Sequence, residues 1–372
     1  MITKLRLKNF KRVKDQTYEF SSFDLLVGRN NCGKSTILQS LAIWQFCIDQ
    51  FDQAKRKGSR GVQIVLPNFT ALPVPEFNLL WNNKTDREYT EANGRRKQKY
   101  ILIEIDVEWK SGSDNAIKNF SVQLRYHSRQ TVYAIPSQGW NDYNILKKDP
   151  DFPRIAYVPP FSGLEPLEKW LDDPPLRQEV GKGQPGSVLR NLLLRVSRSS
   201  GKIKNSSDAL IPSDVWSELE KAVHRWFSVE IARPQYDSQR DVNIKVEFKQ
   251  ADKNYDIITG GSGFHQALTL LAFLYGYRPT TILFDEPDAH LHVNLQREIL
   301  DFFKRKSNET RTQFIIATHS EAVINAVELP QIISLLSNEP KRITHIKPVV
   351  EAMANIPRSE ERRVGKECRS GW

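Results

Sequence analysis

Cysteine is scarce: Cys32, Cys47 and Cys368 are the only three among 372 residues. With one of them inside a glycine-rich loop no disulfide framework can be drawn, and a reducing cytoplasm is the expected setting. Long apolar runs are scarce as well. The longest, residues 267–275 interrupted only by Thr269, is too short for a bilayer-spanning helix, so no membrane attachment is expected. The opening Met1-Ile2-Thr3-Lys4-Leu5-Arg6 alternates like a strand and lacks the apolar core of a signal peptide. No internal repeat and no sustained heptad pattern occurs, which excludes a solenoid and long coiled-coil arms. What is present is a globular composition, 39% hydrophobic and 26% charged, in a chain long enough for one large domain or two ordinary ones. The formal net charge of +10 permits a polyanionic partner without establishing one.

The chain is organised around Gly28-Arg29-Asn30-Asn31-Cys32-Gly33-Lys34-Ser35-Thr36, which fits the phosphate-loop pattern GxxxxGK[ST]. Residues 23–27 read as a buried strand before it and residues 37–44 as a helix after it. Such a turn points successive backbone N–H groups at a phosphate, and the helix N-terminus adds partial positive charge. Lys34 is then expected to reach the β- and γ-phosphates, and the Ser35 hydroxyl to ligate Mg²⁺. The competing reading is a glycine turn with a chance Lys-Ser. The strand–helix context favours a nucleotide site.

Along the rest of the chain, residues 1–20 read as two strands around a turn, and residues 51–99 as irregular. That stretch holds two basic clusters, Lys55–Arg60 and Arg95–Lys99, which could meet nucleic-acid phosphates or simply be solvated. Residues 100–109 and 120–126 alternate as antiparallel strands, 154–158 reads as a buried strand stopped by Pro159-Pro160, and 242–248 alternates again. Residues 164–227 read as mostly helical, broken at Pro174-Pro175 and around Gly181–Gly186. The last residues, 358–372, have no apolar periodicity and read like translated sequencing-adapter DNA. They are expected to be a non-native tail rather than an ordinary charged one, with the natural frame running on past residue 357. Without them five basic and three acidic residues are lost, and the charge falls from +10 to +8.

A second set of residues completes the nucleotide site. Thr281-Ile282-Leu283-Phe284-Asp285-Glu286 is an apolar strand ending in two carboxylates, the shape of a Walker B element. Asp285 is expected to help hold Mg²⁺ and Glu286 to polarise the attacking water, with strand alternation sending them to different sides. His319, at the end of the apolar run 314–318, is expected to contact the γ-phosphate, although a lone histidine is often structural. Gly260-Gly261-Ser262-Gly263 precedes a helix that is apolar on nearly all sides, with Ser262 at the expected N-cap. This is either an ordinary capped turn or a second anion site. One nucleotide does not need two cradles, so the second is expected to close on a nucleotide held by another subunit.

These residues, in this order, resemble the ATP-binding-cassette class of ATPases, and more closely the soluble SMC-like and OLD-family heads of the "AAA family ATPase" group. Residues 5–10, GRNNCGKST, GSGFHQ, LFDEPDAHLH and ATHS carry the likeness. It implies an α/β fold, an ABC-type P-loop NTPase head with a mixed central sheet, an antiparallel β lobe and a helical lobe. A single head would span residues 1–357: a RecA-like core from about 1–50 and 275–357, a β-rich insert at about 51–150, and a helical signature lobe at about 160–275. Ser262 and Gly263 would act in trans, and Asp288-Ala289-His290-Leu291-His292 would form a D-loop, which the His290/His292 pair fits better than a metal site.

The sequence departs from the group in three ways. The signature reads GSGFHQ rather than LSGGQ. Pro159-Pro160 stand where a Q-loop glutamine should follow, so no Q-loop residue is assigned. Coiled-coil arms are missing. The expected function is an ATP-hydrolysing head that dimerises around two ATP molecules with Mg²⁺ and drives DNA-directed work. An OLD-like nuclease system in phage defence, with a Toprim nuclease domain or subunit, is the first expectation. A repair or chromosome-maintenance head without nuclease, and a transporter ATPase, are the alternatives.

Overall fold

The computed structural model describes residues 1–343 apart from 55–57, 59, 60, 93, 94, 113, 114, 200–214, 337 and 338. The tail at 358–372 and most of the Lys55–Arg60 cluster lie outside the described residues. So do the side chains at positions 95–97 of the second cluster.

Two six-stranded sheets make up the framework. One is antiparallel. It comprises β1 (Ile2–Phe10), β2 (Val13–Glu19), β4 (Val62–Val65), β7 (Ile103–Lys110), β8 (Ile117–Ser128) and β9 (Thr131–Pro136), in the order β2-β1-β7-β8-β9-β4. Its strands alternate, as in β7, whose odd-numbered residues Ile103 to Trp109 are buried while the residues between them are partly exposed. One covered face and one wet face produce that pattern. The helix α2 (Gly139–Leu146) packs against β8 and β9. A separate hairpin, β5 (Arg87–Ala92) and β6 (Arg95–Tyr100), lies in the stretch read from sequence as irregular.

The second sheet is mixed, with β10 (Ile155–Val158), β14 (Thr281–Asp285), β15 (Gln313–Ala317), β3 (Phe23–Val27) and β16 (Ile332–Ser334) parallel in that order, and β17 (Lys341–Arg342) antiparallel at the edge. Every residue of β3, β14 and β15 is buried, because both faces of the sheet are covered. The period-2 alternation divides their side chains between two cores. Ile282, Phe284, Phe314 and Ile316 face one, and Leu283, Ile315 and Ala317 face the other.

On the second of those faces lies α1 (Lys34–Gln53), sandwiched between the sheets. Trp44 is fully buried there and donates from its indole N–H to Phe120 O at 3.0 Å. The sequence located this helix at 37–44; the structure extends it at both ends. Residues 1–20, grouped above with the core, lie in the antiparallel sheet instead, where β1 pairs with β7 on one side and β2 on the other. Nothing in a strand's own alternation names its partner.

The opposite face carries the helical lobe: α3 (Asp173–Gly181), α4 (Leu189–Ser199), α5 (Val215–Phe227) and α6 (Ser262–Tyr277), with a small sheet of β11 (Glu230–Ile231), β12 (Glu247–Gln250) and β13 (Lys253–Asp256). Pro174-Pro175 begin α3 rather than break a helix, since proline in the first turn forfeits no hydrogen bond. In the 242–248 stretch Ile244, Val246 and Phe248 are buried in alternation, but the continuous ladder starts only at Glu247. α7 (Val293–Thr310) and α8 (Glu321–Ile324) complete the fold. Among the described residues no helix is long and apolar enough to cross a membrane.

Candidate functional site

The loop from β3 to α1 is shaped by a glycine that no other residue could replace without strain. Gly33, the N-cap of α1, has φ of 109°, in the left-handed region. The loop folds back so that the buried Lys34 ammonium donates to Gly28 O at 2.9 Å and Arg29 O at 3.2 Å. The next residue reaches across the sheet: Ser35 Oγ donates to Asp285 Oδ1 at 3.0 Å, joining residues 250 positions apart. On the far side of the same carboxylate, the Tyr157 hydroxyl donates to Oδ2 at 3.0 Å. Burial pushes the Asp285 carboxyl up from its ordinary value, against the pull of Ser35 and Tyr157.

β14 ends at Asp285, and Glu286 adopts a left-handed conformation with φ of 55° while its N–H donates to Ala317 O at 2.9 Å. The two carboxylates diverge because the chain turns there, not by strand alternation alone. Glu286 Oε1 meets His319 Nε2 just past β15. The hydrogen bond and charge of that imidazole hold the Glu286 carboxyl below its usual range.

A cleft of about 810 Å³ collects these groups: Asn30, Asn31, Gly33, Lys34, Ser35 and Thr36 from the loop, then Glu286 and His319. Lys11 and Arg12 complete its wall, and neither was foreseen. They occupy the turn between β1 and β2, in the other sheet, and Arg12 lies over Gly33, where an added Cβ would come 3.4 Å from its Cδ. Burial lowers the Lys11 pKa while Asp285 opposes the shift. Lys11-Arg12 follows Asn9-Phe10 as an unremarkable charged turn, and only the pairing of β1 with β7 brings it to the cleft.

The second glycine turn is placed differently. Gly261, not Ser262, is the N-cap of α6, and Ser262 is the first helical residue, exposed and without a side-chain capping bond. Residues 264–275 are all buried, as the apolar run requires. Gly263 sits against the turn after β14, where a Cβ would come 3.0 Å from His290 O. Gln266 Nε2 donates to Pro287 O at 3.1 Å, and Asp288 Oδ1 accepts from Thr318 at 2.6 Å. His292 is the N-cap of α7, its Nδ1 accepting from Asn294 N at 3.4 Å. Neither Ser262 nor Gly263 is among the described residues that wall the cleft.

Two family models cover most of the chain. One, described as "AAA domain, putative AbiEii toxin, Type IV TA system", matches residues 138–325, and the other, "AAA ATPase domain", matches residues 1–156. A Helicobacter pylori protein named ATP/GTP phosphatase is 22% identical over 344 residues, covering 88% of each chain. The chromosome partition protein Smc of Pyrococcus furiosus is 38% identical over 79 residues, 20% of this chain and 6% of that one. Among solved structures, the Smc head bound to the C-terminal winged-helix domain of ScpA superposes with a TM-score of 0.53 at 17% identity, over 94% of this chain and 99% of that one. Half of this chain falls within the first family model, so the chain belongs to that AAA domain family, with the fold of an SMC-like ATPase head.

Proposed function

We propose that the chain binds ATP with Mg²⁺ in the cleft and hydrolyses it between two copies of itself. Residues 28–36 would cradle the phosphates, with the Lys34 ammonium exchanging its two loop carbonyls for phosphate oxygens. Ser35 and Asp285 suit Mg²⁺: a hydroxyl and a carboxylate, both hard oxygen donors, already meet at 3.0 Å. The cation would neutralise charge on the phosphate oxygens. Glu286 would orient and polarise the attacking water, held as a carboxylate by His319, which would also face the γ-phosphate.

One observation carries the two-copy reading. Lys34, Ser35, Glu286 and His319 share a cleft that Ser262 and Gly263 do not wall, although α6 presents Ser262 exposed at its N-terminus. A helix N-terminus with its serine turned outward suits an anion carried by another molecule. ATP would then close a dimer, because its γ-phosphate gains contacts only when both copies are present, and hydrolysis would open it. Sedimentation velocity with and without ATP tests this. Ser262→Arg is expected to abolish the ATP-dependent dimer while the monomer still binds ATP, whereas Glu286→Gln is expected to halt turnover and accumulate the dimer. Loss of monomer binding in Ser262→Arg would overturn the trans assignment.

We infer further that the head serves a DNA-directed effector in the cytoplasm. The shared segment with a chromosome partition protein supports this, as does the basic balance of the chain. An OLD-like nuclease, with a Toprim domain or subunit, is the effector we favour over a chromosome-maintenance role. Reading the gene past codon 357 tests it: a strand ending in Glu-Gly is expected, and a stop codon there would favour a stand-alone ATPase with a separate partner.

A further inference from the structure

Each oxygen of the Asp285 carboxylate has its own hydroxyl donor, Ser35 on Oδ1 and Tyr157 on Oδ2, both at 3.0 Å. The first belongs to the phosphate loop; nothing assigns a task to the second. Tyr157 is held by the parallel pairing of β10 with β14, opposite Leu283. It lines a cavity of about 300 Å³ together with Ala42, Phe46, Phe273, Asp49, Arg154 and Arg177. The hydroxyl itself is directed elsewhere, to Asp285.

Gln39 on α1 stands beside that hydroxyl, and Gln39 Oε1 accepts from the Lys11 ammonium. An amide whose oxygen faces an ammonium presents its NH₂ group elsewhere. The Gln39 NH₂ group is thus free to face Tyr157, whose hydroxyl donates to Asp285.

We propose that Tyr157 is a positioning residue for the divalent cation, fixing one oxygen of Asp285 so that the other stays aimed at Ser35. Gln39 and Lys11 hold the phenol in that orientation. The inference rests on the MgATP reading of the cleft. It also ties the cation site to the β1–β2 turn, which belongs to the other sheet.

The test is a Mg²⁺ titration of the full chain carrying a fluorescent ATP analogue, with nucleotide affinity measured separately in EDTA. For Tyr157→Phe the Mg²⁺ concentration at half-saturation should rise about tenfold or more, as for other groups that orient metal ligands. Affinity in EDTA should match the wild type. Gln39→Leu should shift the same reading in the same direction by less, and it carries the test if Tyr157→Phe does not fold. An unchanged Mg²⁺ half-saturation in the folded variants overturns the inference. Weakened binding in EDTA overturns it too, because Tyr157 would then shape the cleft rather than aim the carboxylate. If instead Lys34→Ala bound the nucleotide as tightly as wild type, the ATP reading of the cleft would be what fails.

Discussion

The molecule contains two glycine turns that each open a buried helix, and they are finished in opposite ways. At the head of α1 the chain closes in on its own turn: Lys34 bonds two loop carbonyls, Ser35 reaches Asp285, and Arg12 lies over Gly33. At the head of α6 the turn is anchored only from behind, by Gln266 on Pro287 O and by Gly263 against His290 O, and Ser262 faces outward. The first turn has a facing wall in its own chain. The second has only a platform. The two turns differ in their own backbone, left-handed at Gly33 and extended at Gly261, and in what the rest of the fold brings opposite.

Disturbing the platform should have the largest effect. Arg190 is buried in the lobe that carries the second turn, with its guanidinium donating to both oxygens of Asp256, the last residue of β13, at 2.6 and 2.9 Å. Arg190→Ala should cost about 1.5–3 kcal/mol of folding stability by denaturant titration, the range for losing hydrogen bonds to a charged group, since the Asp256 carboxylate left behind is partly exposed. If the variant binds ATP as a monomer yet fails to dimerise, the contrast between the two turns is sharpened; loss of both would blur it.

A pH effect of similar size should arise in the same lobe. Glu168 is buried and accepts from Arg190 N, Asn191 N and Asn191 Nδ2 at 2.6–2.7 Å, yet burial prevails and pushes its carboxyl up to about 7. Between its ordinary value of 4.5 and about 7, the unfolded chain has released this proton while the folded chain retains it. Stability should therefore fall as pH rises through that window, by about 3 kcal/mol. Glu168→Gln should flatten the slope in urea titrations at pH 5 and pH 8, and an unaltered slope would remove Glu168 as its source.

The smallest effect compares the glycines directly. Gly33 has φ of 109°, whereas Gly261 has φ of −72° and a Cβ there would meet nothing within 4 Å. Gly33→Ala should cost about 1–3 kcal/mol and weaken nucleotide binding. Gly261→Ala, at an N-cap with ordinary φ, should cost no more than about 1 kcal/mol, as thermal melts can show. Equal costs would mean that the two turns are not different in kind.

Much of the first turn was legible because its signals are local. β3 and β14 have the bounds that their apolar runs indicate, and Ser35, Asp285, Glu286 and His319 meet as the motif order implies. What was illegible was always a partner. β1 pairs with β7, about 100 residues further along the chain, and the turn after β1 carries Lys11 and Arg12 to the cleft. Tyr157 looked like one more apolar position in a buried strand, since a phenol on such a strand gives no hint of a carboxylate on the next one. The cap shifted from Ser262 to Gly261 because the backbone entering α6 turns one residue earlier than propensity suggests.

The place of β3 in its sheet has a consequence for how the chain is made. β3 lies between β15 and β16, and its neighbours are synthesised almost 300 residues after it. A ribosome therefore releases the phosphate loop and every strand of the antiparallel sheet before the strands that flank β3. A nucleotide held as proposed above would stabilise only the finished head, a late lock on folding and not a template for it.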